Sequence, residues 1–95
     1  MHYKTRDEQQ LVTPRDLDAR WAEVDALRVT QSVLTRDAVK ARRREAEGEG
    51  VEDELAVHEA ALALVSVKLA YANLSYYEAR DAFEHQPREV HLHSH

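Results

Sequence analysis

The stretch Ala41-Arg-Arg-Arg-Glu-Ala-Glu-Gly48-Glu49-Gly50-Val-Glu-Asp-Glu-Leu55 decides the fold. It holds the only two glycines of the 95-residue chain. Glycine is the residue that accepts the left-handed conformation ending a helix at little steric cost. Before it come Arg42, Arg43 and Arg44, bases suited to the negative end of a helix dipole. After it come Glu52, Asp53 and Glu54, acids suited to the positive end of the next helix. The segment therefore reads as helix, tight turn, helix, with opposite charges placed to face each other across the turn.

Upstream, Thr13-Pro14-Arg15-Asp16 marks a helix start, with threonine at the N-cap and proline at the first helical position. Asp16 at the third position resembles a capping box, where Glu or Gln is the usual residue. From Arg15 to Glu47 there is neither glycine nor proline. Leu17, Trp21, Val24, Leu27, Gln31, Leu34, Ala38 and Ala41 recur at helical steps and define one face.

Downstream the pattern is stronger. Val51, Leu55, His58, Leu62, Val65, Leu69, Ala72, Tyr76, Ala79 and Phe83 alternate steps of four and three, the heptad of a packed helical seam. The helix is expected to stop before Pro87. Domain boundaries follow: an N-terminal arm over 1–12, disordered or a short helix; a hairpin over 13–86, with helices at 13–47 and 51–86 and a turn at 48–50; and a flexible histidine-rich tail over 87–95. The fold class is all-α, an antiparallel two-helix hairpin or coiled coil. Its expected seam joins Trp21, Val24, Leu27 and Leu34 to the second-helix heptad from Leu55 to Phe83.

Two helices cannot enclose a core, and the second is apolar nearly all round. Between Leu55 and Tyr77, 17 of 23 residues are apolar. Such a helix is normally buried. The face expected to seek a partner holds Val57, Ala61, Leu64, Val67, Tyr71, Leu74 and Tyr77, and the polar strip is narrow, Glu59, Ser66, Asn73 and Arg80. The expectation is a homo-oligomer, first a dimer forming a four-helix bundle, or else a heterodimer with another helical protein.

Composition excludes several classes of function. There is no cysteine, hence no disulfide or thiolate metal site. Net charge is −5, carried wholly by residues 51–95, which speaks against a nucleic-acid binder. The first dozen residues are polar, not a signal peptide, and Lys68 and Asn73 interrupt the longest apolar run, so neither a membrane partner nor a cofactor is expected and the setting is taken as cytoplasmic.

The chemistry-bearing residues read mostly as structural. His58 sits at a heptad position with Glu54 one turn earlier, without the Glu-x-x-His pairs of di-metal bundles. Gln31 reads as a seam amide that fixes pairing. His91, His93 and His95 alternate along the tail and offer imidazoles for zinc, copper or nickel, without a preformed site. No glycine-rich phosphate loop or nucleophile triad exists, and no enzymatic activity is expected.

Tyr77-Glu78-Ala79-Arg80-Asp81 places tyrosine four residues before an acid. In this, and in its central turn, the chain resembles the WXG100 family of type VII secretion substrates, paired helical hairpins of similar size. The resemblance implies a secreted or partner hairpin. The family's Trp-x-Gly turn is absent, since Gly48-Glu49-Gly50 stands there and the one tryptophan is Trp21. The leading expectation is a self-associating scaffold, adaptor or accessory subunit of a phage or bacterial assembly. The secretion-type hairpin and a metal-binding histidine tail are the alternatives.

Overall fold

The capping box at Thr13 forms as its residue types require. Asp16 N–H donates to Thr13 Oγ1 at 3.1 Å, and Thr13 N–H donates to Asp16 Oδ2 at 3.0 Å. From there α1 runs over Pro14–Ala46, and α2 over Glu52–His85. These are the elements of the computed structural model, which describes residues 11–87. The helices have 33 and 34 residues, so each is about 50 Å long. They pack against each other as an antiparallel hairpin.

The turn closes as a Schellman motif. Glu49 N–H donates to Arg44 O at 3.0 Å and Gly48 N–H to Glu45 O at 2.9 Å, which satisfies carbonyls the helix end would otherwise leave open. Gly48 and Gly50 both take positive φ, 84° and 71°. No side chain caps α2 at Val51. Instead the Glu45 carboxylate reaches across the turn and accepts the Val51 N–H at 2.7 Å. The arginine run and the acidic start of α2 do meet: Arg44 contacts Glu49 and Glu54 at 2.9 Å each, and Arg42 contacts Glu59 at 2.7 Å. The Glu49 hydrogen bond, with Glu54 beside it, raises the Arg44 pKa further above its usual value.

The seam follows the heptad. Of its ten positions from Val51 to Phe83, Ala79 is buried and the other nine are half-buried. On α1, Val24, Ala38 and Ala41 are buried, and Leu17, Leu27, Gln31 and Leu34 are half-buried. Small residues are the ones fully enclosed, because two rods touch along a line and only a short side chain lies wholly within that line. Polar contacts set the register. Gln31 Nε2 donates to Ser66 Oγ at 3.0 Å, and the Arg20 guanidinium donates to the Ser75 hydroxyl.

Trp21 stands at the edge of the seam. Its ring lies 5.0 Å from that of Tyr76, but the residue is 40% exposed. An indole is too wide to be covered by one opposing helix. Its outer side carries the Arg28 guanidinium, 5.2 Å from the ring centroid. At the open end Gln86 clasps the start of the chain: Val12 N–H donates to Gln86 Oε1 at 3.0 Å, and Gln86 Nε2 donates to Val12 O at 2.8 Å.

Candidate interaction site

The heptad that turns one side of α2 towards α1 necessarily turns the other outward, and that other side is apolar. Val57, Leu64, Val67, Tyr71, Leu74 and Tyr77 are all exposed, from 50% for Tyr77 to 69% for Tyr71. Ala61, expected among them, is half-buried beside the seam, while Ala60 is exposed on the outer side. The supposed polar strip also divides. Glu59 and Arg80 are exposed, whereas Ser66 and Asn73 lean towards α1 and are half-buried. Ser66 meets Gln31, while the buried Asn73 Oδ1 has no hydrogen-bond donor among the described residues. Between Val57 and Tyr77 the apolar strip makes up most of what α2 shows to its surroundings.

A scan against family models and searches of curated proteins and solved structures found no match to this chain.

Electrostatics around the stripe are those of a solvated surface. His58 is half-buried at the seam, with Nε2 3.7 Å from Glu54 Oε2. His85 donates through Nδ1 to the Asp81 carbonyl at 2.8 Å, and its Nδ1 lies 3.3 Å from the Asp81 carboxylate. The carbonyl first and the carboxylate second raise its pKa above 6.5. Asp16 is held below the usual carboxylate value by the Thr13 backbone and hydroxyl donors.

Among the described residues no three acidic or histidine side chains converge on a point that could hold a metal ion. His91, His93 and His95 lie outside the described residues, as does most of the N-terminal arm. Among the described residues the concavities open widely to the surface. One is lined by Arg20, Glu23, Lys68, Tyr71, Ala72 and Ser75, another by residues around Trp21 and Tyr77. By length and composition α2 is also apolar enough to cross a membrane, with a mean hydropathy of 1.4 over its most apolar window. Its seam side, however, is engaged along its length by α1, which carries charged residues throughout.

Sequence reasoning passed over a second exposed stripe, on α1. Val29 is 59% exposed and Val33 42%. They continue a line begun by Ala19, Ala22 and Ala26, also exposed. The signal was present in the spacing, but alanines sit readily on solvated helix faces and drew no weight.

Proposed function

We propose that this chain is a non-enzymatic interaction protein: a helical hairpin that associates with copies of itself and serves as a scaffold or accessory subunit of a larger assembly. One observation supports the reading most. The hairpin seam accounts for one side of α2, and five large apolar side chains on the opposite side, Val57, Leu64, Val67, Tyr71 and Leu74, are each more than half exposed. Contiguous apolar patches beyond roughly 300–600 Å² are unusual on soluble monomers and mark interaction surfaces. The hairpin also buries very little by itself, with four buried residues among those described. Further burial at about 25 cal/mol per Å² is the readiest source of added stability.

An aqueous, cytoplasmic setting belongs to this reading, because α1 would carry its charges into any bilayer that α2 entered. Light scattering on a sizing column across a concentration series tests it. The expected result is a mass above 10.9 kDa that persists at low micromolar concentration. A well-behaved, helical monomer up to about 100 μM would sink self-association and turn the search to a different protein as partner.

A further inference from the structure

The two uncovered stripes match each other. On α2, Val57, Ala60, Leu64, Val67, Tyr71 and Leu74 alternate steps of three and four, and all are exposed. Continued at the same spacing, this line meets Asp53 at one end and Glu78 and Asp81 at the other, all exposed. On α1, Ala19, Ala22, Ala26, Val29 and Val33 follow the same alternation. Continued, that line meets Arg15 at one end and Arg36, Lys40 and Arg43 at the other, again all exposed. Each stripe is a helical seam without a partner helix. One is capped by acids at both ends and the other by bases at both ends.

We propose that the outer stripe of α2 docks on the outer stripe of α1 from a second copy of this chain, with the two helices parallel. The proposal deepens the self-association reading and rests on it. Charge selects the pairing. Placing α2 on α2 sets Asp53 against Asp53 and Glu78 against Glu78 when parallel, and Asp53 against the Glu78 and Asp81 end when antiparallel. Placing α1 on α1 brings bases together at both ends. Only α2 on α1 sets acid against base.

Register selects the direction. Aligned in parallel, the stripes pair position by position: Arg15 with Asp53, Lys40 with Glu78, and Arg43 with Asp81. Between these ends Ala26 meets Leu64, Val29 meets Val67 and Val33 meets Tyr71, so short side chains of α1 face bulky ones of α2. In the same register Asp25 and Lys68 take the flanking positions whose charges meet across a parallel coiled coil. The antiparallel alignment keeps Arg15 with Asp81 and Arg43 with Asp53 but sets Lys40 against Val57, Arg36 against Ala60 and Glu78 against Ala19, leaving three charges without a counterpart, where the parallel one leaves Arg36 alone, opposite Leu74. Among the described residues, Arg15, Lys40, Arg43, Asp53 and Glu78 make no ion pair, while Asp81 is met by His85.

The contact is head-to-tail. Each stripe lies on the far side of its helix from the seam, so a copy that accepts one neighbour on α2 still offers α1 to another. Such heterologous contacts grow into rings or open rows instead of stopping at a two-fold dimer.

Two single-face variants test this by sedimentation velocity, with helicity checked by circular dichroism. Leu64→Glu with Tyr71→Glu blocks the α2 stripe, and Val29→Glu with Val33→Glu blocks the α1 stripe. Each variant alone is expected to be monomeric, and an equal mixture to form a complex of one chain of each and nothing larger. The idea is overturned if the α1-blocked variant associates as the unaltered chain does, which indicates α2-on-α2 contact, or if the mixture stays monomeric. In both cases the unaltered chain still self-associates, so the broader reading survives; a monomeric unaltered chain removes both. Should the glutamate variants lose helicity, charge reversal decides. Lys40→Glu with Arg43→Glu, and Glu78→Lys with Asp81→Lys, should each weaken association by roughly tenfold or more. Mixing the two should restore it, and failure of the mixture to recover refutes the pairing.

Discussion

Replacing Val24 by alanine separates the seam of this hairpin from its outer surfaces. Val24 is fully buried, and among the described residues it is the largest side chain that is. The change removes carbon equivalent to two methylenes, worth about 1.6 kcal/mol at ~0.8 kcal/mol each. A residual cavity adds to this, because two helices held in register by Gln31–Ser66 and by the turn can close the gap only in part. The expected loss is about 2 kcal/mol, which for a chain of this size lowers Tm by about 4–8 °C per kcal/mol. Val29→Ala is the control. It deletes the same atoms from the same helix at a site that is 59% exposed, and in dilute solution should cost under about 0.5 kcal/mol. Urea unfolding followed at the helical circular-dichroism band, at concentrations below the onset of association, measures both. If the two variants lose equal stability, or if Val24→Ala stays within about 0.5 kcal/mol of the parent, the helices do not pair through the seam described above.

Further outcomes follow from the turn, the seam amide and the end of α2. Gly48 and Gly50 hold positive φ with nothing within 4 Å of the space a Cβ would occupy, so alanine at either should cost about 1–2 kcal/mol from conformation alone. D-alanine, introduced by chemical synthesis, should recover that loss, and an L-alanine variant as stable as the parent would contradict the turn geometry. A double-mutant cycle on Gln31→Ala and Ser66→Ala should report a coupling of about 0.5–1.5 kcal/mol, whereas strictly additive effects would mean the amide and hydroxyl do not meet. His85 should titrate above 6.5 when followed by NMR. Its stabilising contribution is present below the unfolded value of 6.5 and fades as pH rises through the raised folded value. Asp81→Asn should bring that value only part of the way down, since the backbone carbonyl, the larger cause, remains; an unchanged value would exclude the carboxylate.

The hairpin was legible because two independent signals agreed. The heptad from Val51 to Phe83 prescribes one packed side of α2, and the glycines at 48 and 50 prescribe where the chain reverses. The helices run over Pro14–Ala46 and Glu52–His85, and a capping box and a Schellman motif are written in local residue types. What depended on the other helix was harder to read. Ser66 and Asn73 belong by type to a wet surface, yet they stand beside α1, and Ser66 has its partner on that helix. Ala61 and Ala60 are indistinguishable in hydropathy, and only the seam angle decides which of them faces out. Trp21 has the right spacing for the seam but too large a ring to be covered by a single helix. For the candidate site, the outward character of Val57, Leu64, Val67, Tyr71 and Leu74 follows from the heptad itself, whereas the alanine-rich counterpart on α1 carries too little hydropathy to stand out.

The clasp between Val12 and Gln86 gives the molecule an asymmetric response to force. The chain enters and leaves at the same end of a rod, and the covalent turn lies at the other. A load applied between Val12 and Gln86 therefore pulls on the two hydrogen bonds of the clasp first. It then parts the seam one layer at a time, from the aromatic end towards Gly48, so resistance at any moment is that of a single layer. A load applied between the turn and either end acts along the axis and strains many layers at once. The same hairpin is thus weak to peeling and strong to shear.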